Sequence, residues 1–153
     1  MSVITYRDGV MAADSRAYAG STTPIGAKMK IHRLKDGGLF GVTSSVVGLP
    51  EAVKSWLDSG CQNDLKPECG SFDAIHVKPN GEVFFYSEGF MPSGPLIGPY
   101  FSTGSGERYA LGAMSMGAGA VQAAAVAAEL DPMCSGPITS MTLQQAPCPP
   151  VDS

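Results

Sequence analysis

The stretch Ser2-Val3-Ile4-Thr5-Tyr6-Arg7-Asp8-Gly9-Val10-Met11-Ala12-Ala13-Asp14-Ser15-Arg16 decides the reading of this chain. Ser2 to Arg7 is rich in β-forming residues and reads as a strand. Asp8-Gly9 is the residue pair favoured in two-residue hairpin turns, and Val10 to Ala13 returns as a second strand. Ala12 and Ala13 are small enough to let that strand pack closely against a neighbour. Ser2 stands directly behind Met1 and is small enough for removal of the methionine to be expected. A free α-amine titrates near pH ~8, so an exposed Ser2 would carry a hydroxyl nucleophile and a proton acceptor on one residue.

Working outward, Ser15 to Gly26 is polar, contains Gly and Pro, and reads as a loop. Lys28 to Leu34 alternates polar and apolar residues as a half-buried strand does. Lys35-Asp36-Gly37-Gly38 is turn chemistry, and Leu39 to Thr43 resumes an apolar strand. Leu49 to Leu57 fits a short amphipathic helix with Pro50 in its first turn and Gly60 after its end. Gln62 to Ser71 reads as loop, Phe72 to Lys78 and Val83 to Ser87 as a hairpin, and Gly89 to Tyr100 as an irregular connection. Phe101-Ser102-Thr103 leads through Gly104-Ser105-Gly106 into a helix from Glu107 to Met116. Ala120 to Leu130 forms a second helix, and Pro137 to Leu143 a last strand. Antiparallel sheets covered by helices are expected, as one domain over residues 1–143 with a disordered tail over 144–153.

The 153 residues are 44% apolar and 16% charged, with a formal charge of −4 and no run of Lys or Arg, which argues against nucleic acid and anionic membranes as partners. No stretch approaches the roughly twenty apolar residues of a membrane span, and no signal pattern opens the chain, so a cytoplasmic location is expected. The four cysteines, Cys61, Cys69, Cys134 and Cys148, contain no C-x-x-C pair. His32 and His76 lack metal-ligand spacing, and neither a metal nor another cofactor is expected. Reduced thiols are the default; a Cys61 to Cys69 bridge requires an oxidising setting. A phosphate-loop reading of Thr103-Gly104-Ser105-Gly106 fails, because the third glycine of G-x-G-x-x-G would fall at Tyr109.

The order of elements, together with four short matches, resembles the proteasome β-type family, whose simpler bacterial relative is the HslV peptidase. The matches are Asp8 to Arg16, close to a D-G-V-x-x-A-A-D-S-R run; Lys30-Ile31-His32-Arg33-Leu34, with Lys30 sixteen residues after Asp14; Gly104-Ser105-Gly106 opening a helix; and Asp131 before the final strand. The resemblance implies an α+β fold, a four-layer αββα N-terminal nucleophile hydrolase sandwich with two antiparallel sheets between helical layers. It also implies a bacterial or phage peptidase subunit acting through Ser2 where the family usually has Thr.

By the same matching, Asp14 and Lys30 flank the nucleophile, Ser105 and Asp131 orient its amine end, and the N–H of Ser45 is the oxyanion donor. Ser105 also has a structural reading as the cap of the helix that follows. Substrate, a peptide or unfolded polypeptide, would lie as an added strand between Arg16 to Tyr18 and Ser45 to Val47. Val42, Thr43 and His32 are candidate walls of a specificity pocket. Homo-oligomeric stacked rings and an ATP-dependent unfoldase partner are further implications. The chain departs from the family at Ser2, at the Ser44-Ser45 pair where glycines are usual, and at Cys134, where a Ser commonly bonds the nucleophile's amine; a thiol is a weaker partner. Those departures keep two alternatives open: a non-catalytic ring or scaffold subunit, and a small-molecule amidase using the same serine.

Overall fold

A computed structural model describes residues 2–19, 23–68 and 70–143. The removal of Met1, the tail over 144–153 and the Cys61 to Cys69 pairing involve residues outside the described ones. In chain order the strands and helices are β1 (Ile4–Arg7), β2 (Val10–Ala13), β3 (Arg16–Ala19), β4 (Thr23–Ala27), β5 (Ile31–Arg33), β6 (Leu39–Thr43), α1 (Leu49–Asp58), β7 (Asp73–Val77), β8 (Val83–Ser87), β9 (Ser93–Leu96), β10 (Tyr100–Thr103), α2 (Glu107–Ser115), α3 (Ala120–Leu130) and β11 (Thr139–Thr142). A single 3-10 turn, Asn63–Leu65, interrupts the connection after α1.

One antiparallel sheet has four strands in the order β10-β1-β2-β11, a second has five in the order β5-β6-β7-β8-β9, and β3 and β4 form a separate two-stranded ribbon. The first hairpin is closed by Asp8 and Gly9, with φ of 51° and 79°. Positive φ at both central residues is the turn geometry that matches strand twist, and it sets the pairs Ile4 with Ala13, Thr5 with Ala12 and Tyr6 with Met11.

Side-chain alternation along these strands builds the layers. Ile4, Tyr6, Met11 and Ala13 point between the sheets, where they meet Ile31, Leu39, Ile75, Val77 and Val83. Val3 and Ala12 point the other way, against Ala110, Met114, Ala120, Ala123, Ala124 and Ala127 of α2 and α3. The methyl side chains on both partners allow the close approach that Ala12 suggested. On the outer face of the five-stranded sheet, Phe40, Val42 and Ala74 pack with Leu49, Val53 and Trp56 of α1. The order is therefore two helices, sheet, sheet, one helix: the αββα sandwich. Each large apolar side chain buried in it contributes about 1.5–3 kcal/mol.

Close contacts on both faces of the four-stranded sheet lock the layers together. Gly41 faces the inter-sheet core so tightly that a Cβ there would lie 2.5 Å from Cγ2 of Ile4 and 3.1 Å from Sδ of Met11. On the helical side, Thr5 Oγ1 donates to the carbonyl of Ala120 at 2.7 Å, and Arg7 donates to the carbonyls of Met114 at 2.7 Å and Ala118 at 3.0 Å. Arg7 thus places a cation and donors at the C-terminal end of α2 and on the turn that follows it.

Three sequence expectations need correction. Ser15 to Gly26 is not simply loop: it holds β3 and all of β4 but Ala27, and β4 is exposed along its whole length, so no burial pattern marks it. Gly89 to Tyr100 contains β9, an edge strand joined to β8 through an irregular register, with Pro95 tolerated there because an edge strand leaves one side unpaired. The strand expected from Lys28 to Leu34 shrinks to Ile31–Arg33, although Val42 N–H still donates to the carbonyl of Lys30 at 3.1 Å. No helix among the described residues is long and apolar enough to cross a membrane.

Candidate active site

The β1–β2 ladder continues one pair past its last strand residues: Asp14 N–H donates to the carbonyl of Val3 at 3.3 Å, and Val3 N–H donates to Asp14 Oδ1 at 3.1 Å. Ser2 therefore follows a fixed backbone and is 5% exposed. Its carbonyl accepts from Gly106 N–H at 3.1 Å and from the Ser105 hydroxyl at 3.4 Å. Gly104, with φ of 103°, lies so close that any Cβ would collide with the carbonyl oxygen of Ser2. The backbone at Gly104 needs glycine both for its left-handed conformation and for this approach.

Lys30 stands just ahead of β5 in the other sheet, held through its carbonyl by Val42. Its Nζ crosses to donate to Ser2 Oγ at 2.9 Å and to Asp14 Oδ1 at 2.9 Å. Lys30 is 3% and Asp14 0% exposed. Burial pulls the Lys30 ammonium below its ordinary value, and the adjacent Asp14 charge works against that pull. Asp14 receives a third donor, Ser135 N–H, at 3.1 Å from Oδ2. A buried pair costs desolvation, and these added donors are what such a carboxylate requires.

On the other side of Ser2, its backbone N–H donates to Ser105 Oγ at 3.1 Å. Ser105 Oγ is 3.8 Å from Cys134 Sγ, whose thiol in turn reaches Asp131 Oδ2 at 3.5 Å. Asp131 also accepts from Met133 N–H at 2.9 Å. Burial alone would raise the Asp131 carboxyl, but hydrogen bonds from Met133, Ser105 and Cys134 outweigh it and hold it below its usual value. Burial, with the negative charge of Asp14 behind it, pushes the Cys134 thiol up to about 12.

Five of the six anticipated residues, Ser2, Asp14, Lys30, Ser105 and Asp131, thus form one connected group. Ser45 does not join it: it is exposed just after β6 and lines a cleft of about 440 Å³. No side-chain hydrogen bond caps α2, whose cap residue is Gly106, so the Ser105 hydroxyl is spent on Ser2 rather than on the helix. Val42 and Thr43 line a narrow crevice between Arg16 to Tyr18 and the end of β6, with Ser2 and Lys30 at its base. His32 lies outside that crevice, half-buried on β5. Ser135 went unread in the sequence because it acts through its backbone: besides donating to Asp14, its carbonyl receives Ser15 and Arg16 N–H at 3.1 and 3.0 Å. Among the described residues no cluster of three or more His, Cys, Asp or Glu could hold a metal.

The arrangement has a definite chemical capacity. A cation 2.9 Å from Ser2 Oγ favours its ionised form, and an α-amine at the Ser2 nitrogen would be a base on the same residue. While Met1 is attached, that nitrogen belongs to a peptide bond and accepts no proton.

Two antiparallel sheets between helical layers, with the first strand's start buried against a lysine from the opposite sheet, define the proteasome and HslV type of fold. Solved structures bear this out over nearly the whole chain. Eukaryotic HslV from Trypanosoma brucei matches with a TM-score of 0.70 at 13% identity, over 95% of this chain and 100% of that one. Thiobacillus denitrificans BPH matches with a TM-score of 0.64 at 19% identity, over 96% of this chain and 99% of that one. The same protein in complex with epoxomicin matches with a TM-score of 0.63 at 18% identity, over 94% and 98%. No protein-family model and no curated protein matches the sequence.

Proposed function

We propose that the chain is a subunit of a proteasome-like peptidase of a bacterium or phage, with Ser2 as nucleophile once Met1 is removed. Ser2 Oγ attacks a peptide carbonyl, the Ser2 amine takes the hydroxyl proton and passes it to the leaving amine, and water then releases the acyl ester. Lys30 stabilises the forming alkoxide, Asp14 holds Lys30, Ser105 and Asp131 orient the amine, and the Ser45 N–H serves the oxyanion. The observation that carries this reading is the 2.9 Å contact between Lys30 Nζ and Ser2 Oγ, both buried in a narrow crevice. A solvated strand lysine has no reason to be there.

Substrate would lie along Arg16 to Tyr18 as an added strand. Stacked homo-oligomeric rings and an ATP-driven unfoldase belong to the same reading; electron microscopy of the purified protein tests the rings. The chemistry is tested by intact mass and a covalent probe. The purified protein should lack one Met residue and take up one β-lactone at Ser2, and Ser2→Ala should take up none. Retained Met1 and no uptake would identify a scaffold subunit instead. Uptake without peptide cleavage would identify an amidase.

A further inference from the structure

The two sides of Ser2 open into different spaces. Ser2 Oγ faces Lys30, and both lie at the base of the narrow crevice bounded by Arg16 to Tyr18. The Ser2 nitrogen faces Ser105 at 3.1 Å, and Ser105 lines the larger cleft of about 440 Å³. Thr43 and Ser44 border both spaces. This asymmetry fixes which half of a peptide goes where, resting on the function proposed above. When the scissile C–N bond breaks and the Ser2 ester forms, the leaving nitrogen must collect the proton held by the Ser2 amine. The leaving half therefore lies on the nitrogen side, in the larger cleft, and the acyl half on the Arg16 side.

The chemistry of that cleft is one-sided. Its lining carries the carboxylates of Asp73, Glu88 and Glu107 and no Lys, Arg or His among the described residues. Asp73 and Glu88 are held together, with Glu88 N–H donating to Asp73 Oδ1 at 3.3 Å. Half-buried Phe85 adds aromatic surface to the lining, beside the buried Phe72 and Tyr86. Aromatic surface and carboxylates lining one cleft suit a side chain with an alkyl stem and a cationic head. The crevice on the acyl side is bordered instead by the cations Arg16 and Lys28, which disfavour the same side chain there.

The geometry points to the larger cleft as a specificity subsite for Lys or Arg at the position immediately after the cleaved bond. Quenched fluorescent peptides differing only at that position test it on the assembled protein. Lys or Arg should exceed Ala or Glu in kcat/KM by several-fold to about tenfold, since partly exposed charge pairs each contribute modestly, and the preference should shrink as salt is raised. In Glu88→Gln/Glu107→Gln the ratio of Lys to Ala peptides should collapse toward one; taking a ratio within one variant cancels any change in folded fraction. Asp73→Asn gives a second reading of the same ratio. A peptidyl-aminomethylcoumarin, which has no residue after the cleaved bond, reports the acyl chemistry alone. Turnover of that substrate without a cationic preference, or a preference that survives in the variants, would overturn the subsite and leave the peptidase standing. Inertness toward the coumarin and the β-lactone alike would overturn the peptidase, and the subsite with it.

Discussion

Lys30 Nζ lies 2.9 Å from Ser2 Oγ although the two residues lead into strands of different sheets, Ser2 into β1 and Lys30 into β5, so the hydroxyl's polarisation depends on the packing of one sheet on the other. Gly41, pressed against Ile4 and Met11, sets that packing distance.

Lys30→Met should be costly in two separate ways. It strands Asp14, fully buried, without its cation, and breaking a buried pair on one side costs about 3–5 kcal/mol. Adding Asp14→Asn should restore part of the stability, because it removes the stranded buried charge and its amide oxygen can still accept from Val3 N–H, while the amide NH2 leaves Ser135 N–H without the acceptor that Oδ2 supplies. Urea unfolding would measure both. Probe uptake at Ser2 should stay lost in the double variant, which separates the chemical role of Lys30 from its structural one.

Two glycines flanking or within α2 should respond oppositely to alanine. At Gly104, with φ of 103° and the Ser2 carbonyl in the way, a methyl must displace the start of β1, destabilising the chain by more than about 1 kcal/mol and abolishing probe uptake. Gly112 lies in the middle of α2 with nothing within 4 Å of an added Cβ, so Gly112→Ala should stabilise by about 0.5–1 kcal/mol. Thermal melts of the two variants, moving in opposite directions, check this.

The contrast between those glycines also shows what the sequence could disclose. Asp8-Gly9 was legible because a two-residue turn leaves few options, and the alternation from Val3 to Ala13 then assigned faces to a whole sheet. The exposed ribbon of β3 and β4 carries no burial period, and β9 contains Pro95, so neither could be read locally. Ser2, Asp14 and Lys30 were legible through matched intervals. Ser135 was not, since a backbone donor can be any residue type, and only the fold brings it to Asp14.

Asp131 should contribute to the acid limb of stability. Its carboxyl is held below its ordinary value near 3.8 in the folded chain. On acidification the unfolded chain binds this proton first, so the contribution is complete above about 3.8 and disappears as pH falls through the folded value. Asp131→Asn should therefore lower stability at neutral pH and flatten the decline between pH 5 and pH 2 relative to the parent. Urea midpoints across that range measure the difference; parallel curves would mean that the hydrogen bonds of Met133, Ser105 and Cys134 do not favour the charged form.

Cys134 should be silent toward alkylating agents and still matter to the site. Burial and the nearby Asp14 charge push its thiol up to about 12, leaving almost no thiolate at pH 8, whereas Cys61 is exposed. Iodoacetamide on the folded protein should modify Cys61 and spare Cys134, with both modified after unfolding; peptide mass mapping distinguishes them. Its contacts, 3.8 Å to Ser105 Oγ and 3.5 Å to Asp131 Oδ2, are long because sulfur is large and a weak hydrogen-bonding group. Cys134→Ser offers a hydroxyl between the same two oxygens, which holds Ser105 more firmly against the Ser2 nitrogen. The rate of β-lactone uptake at Ser2 should then rise several-fold with little change in unfolding midpoint, and an unchanged rate would place Cys134 outside the chain of contacts that orients that nitrogen.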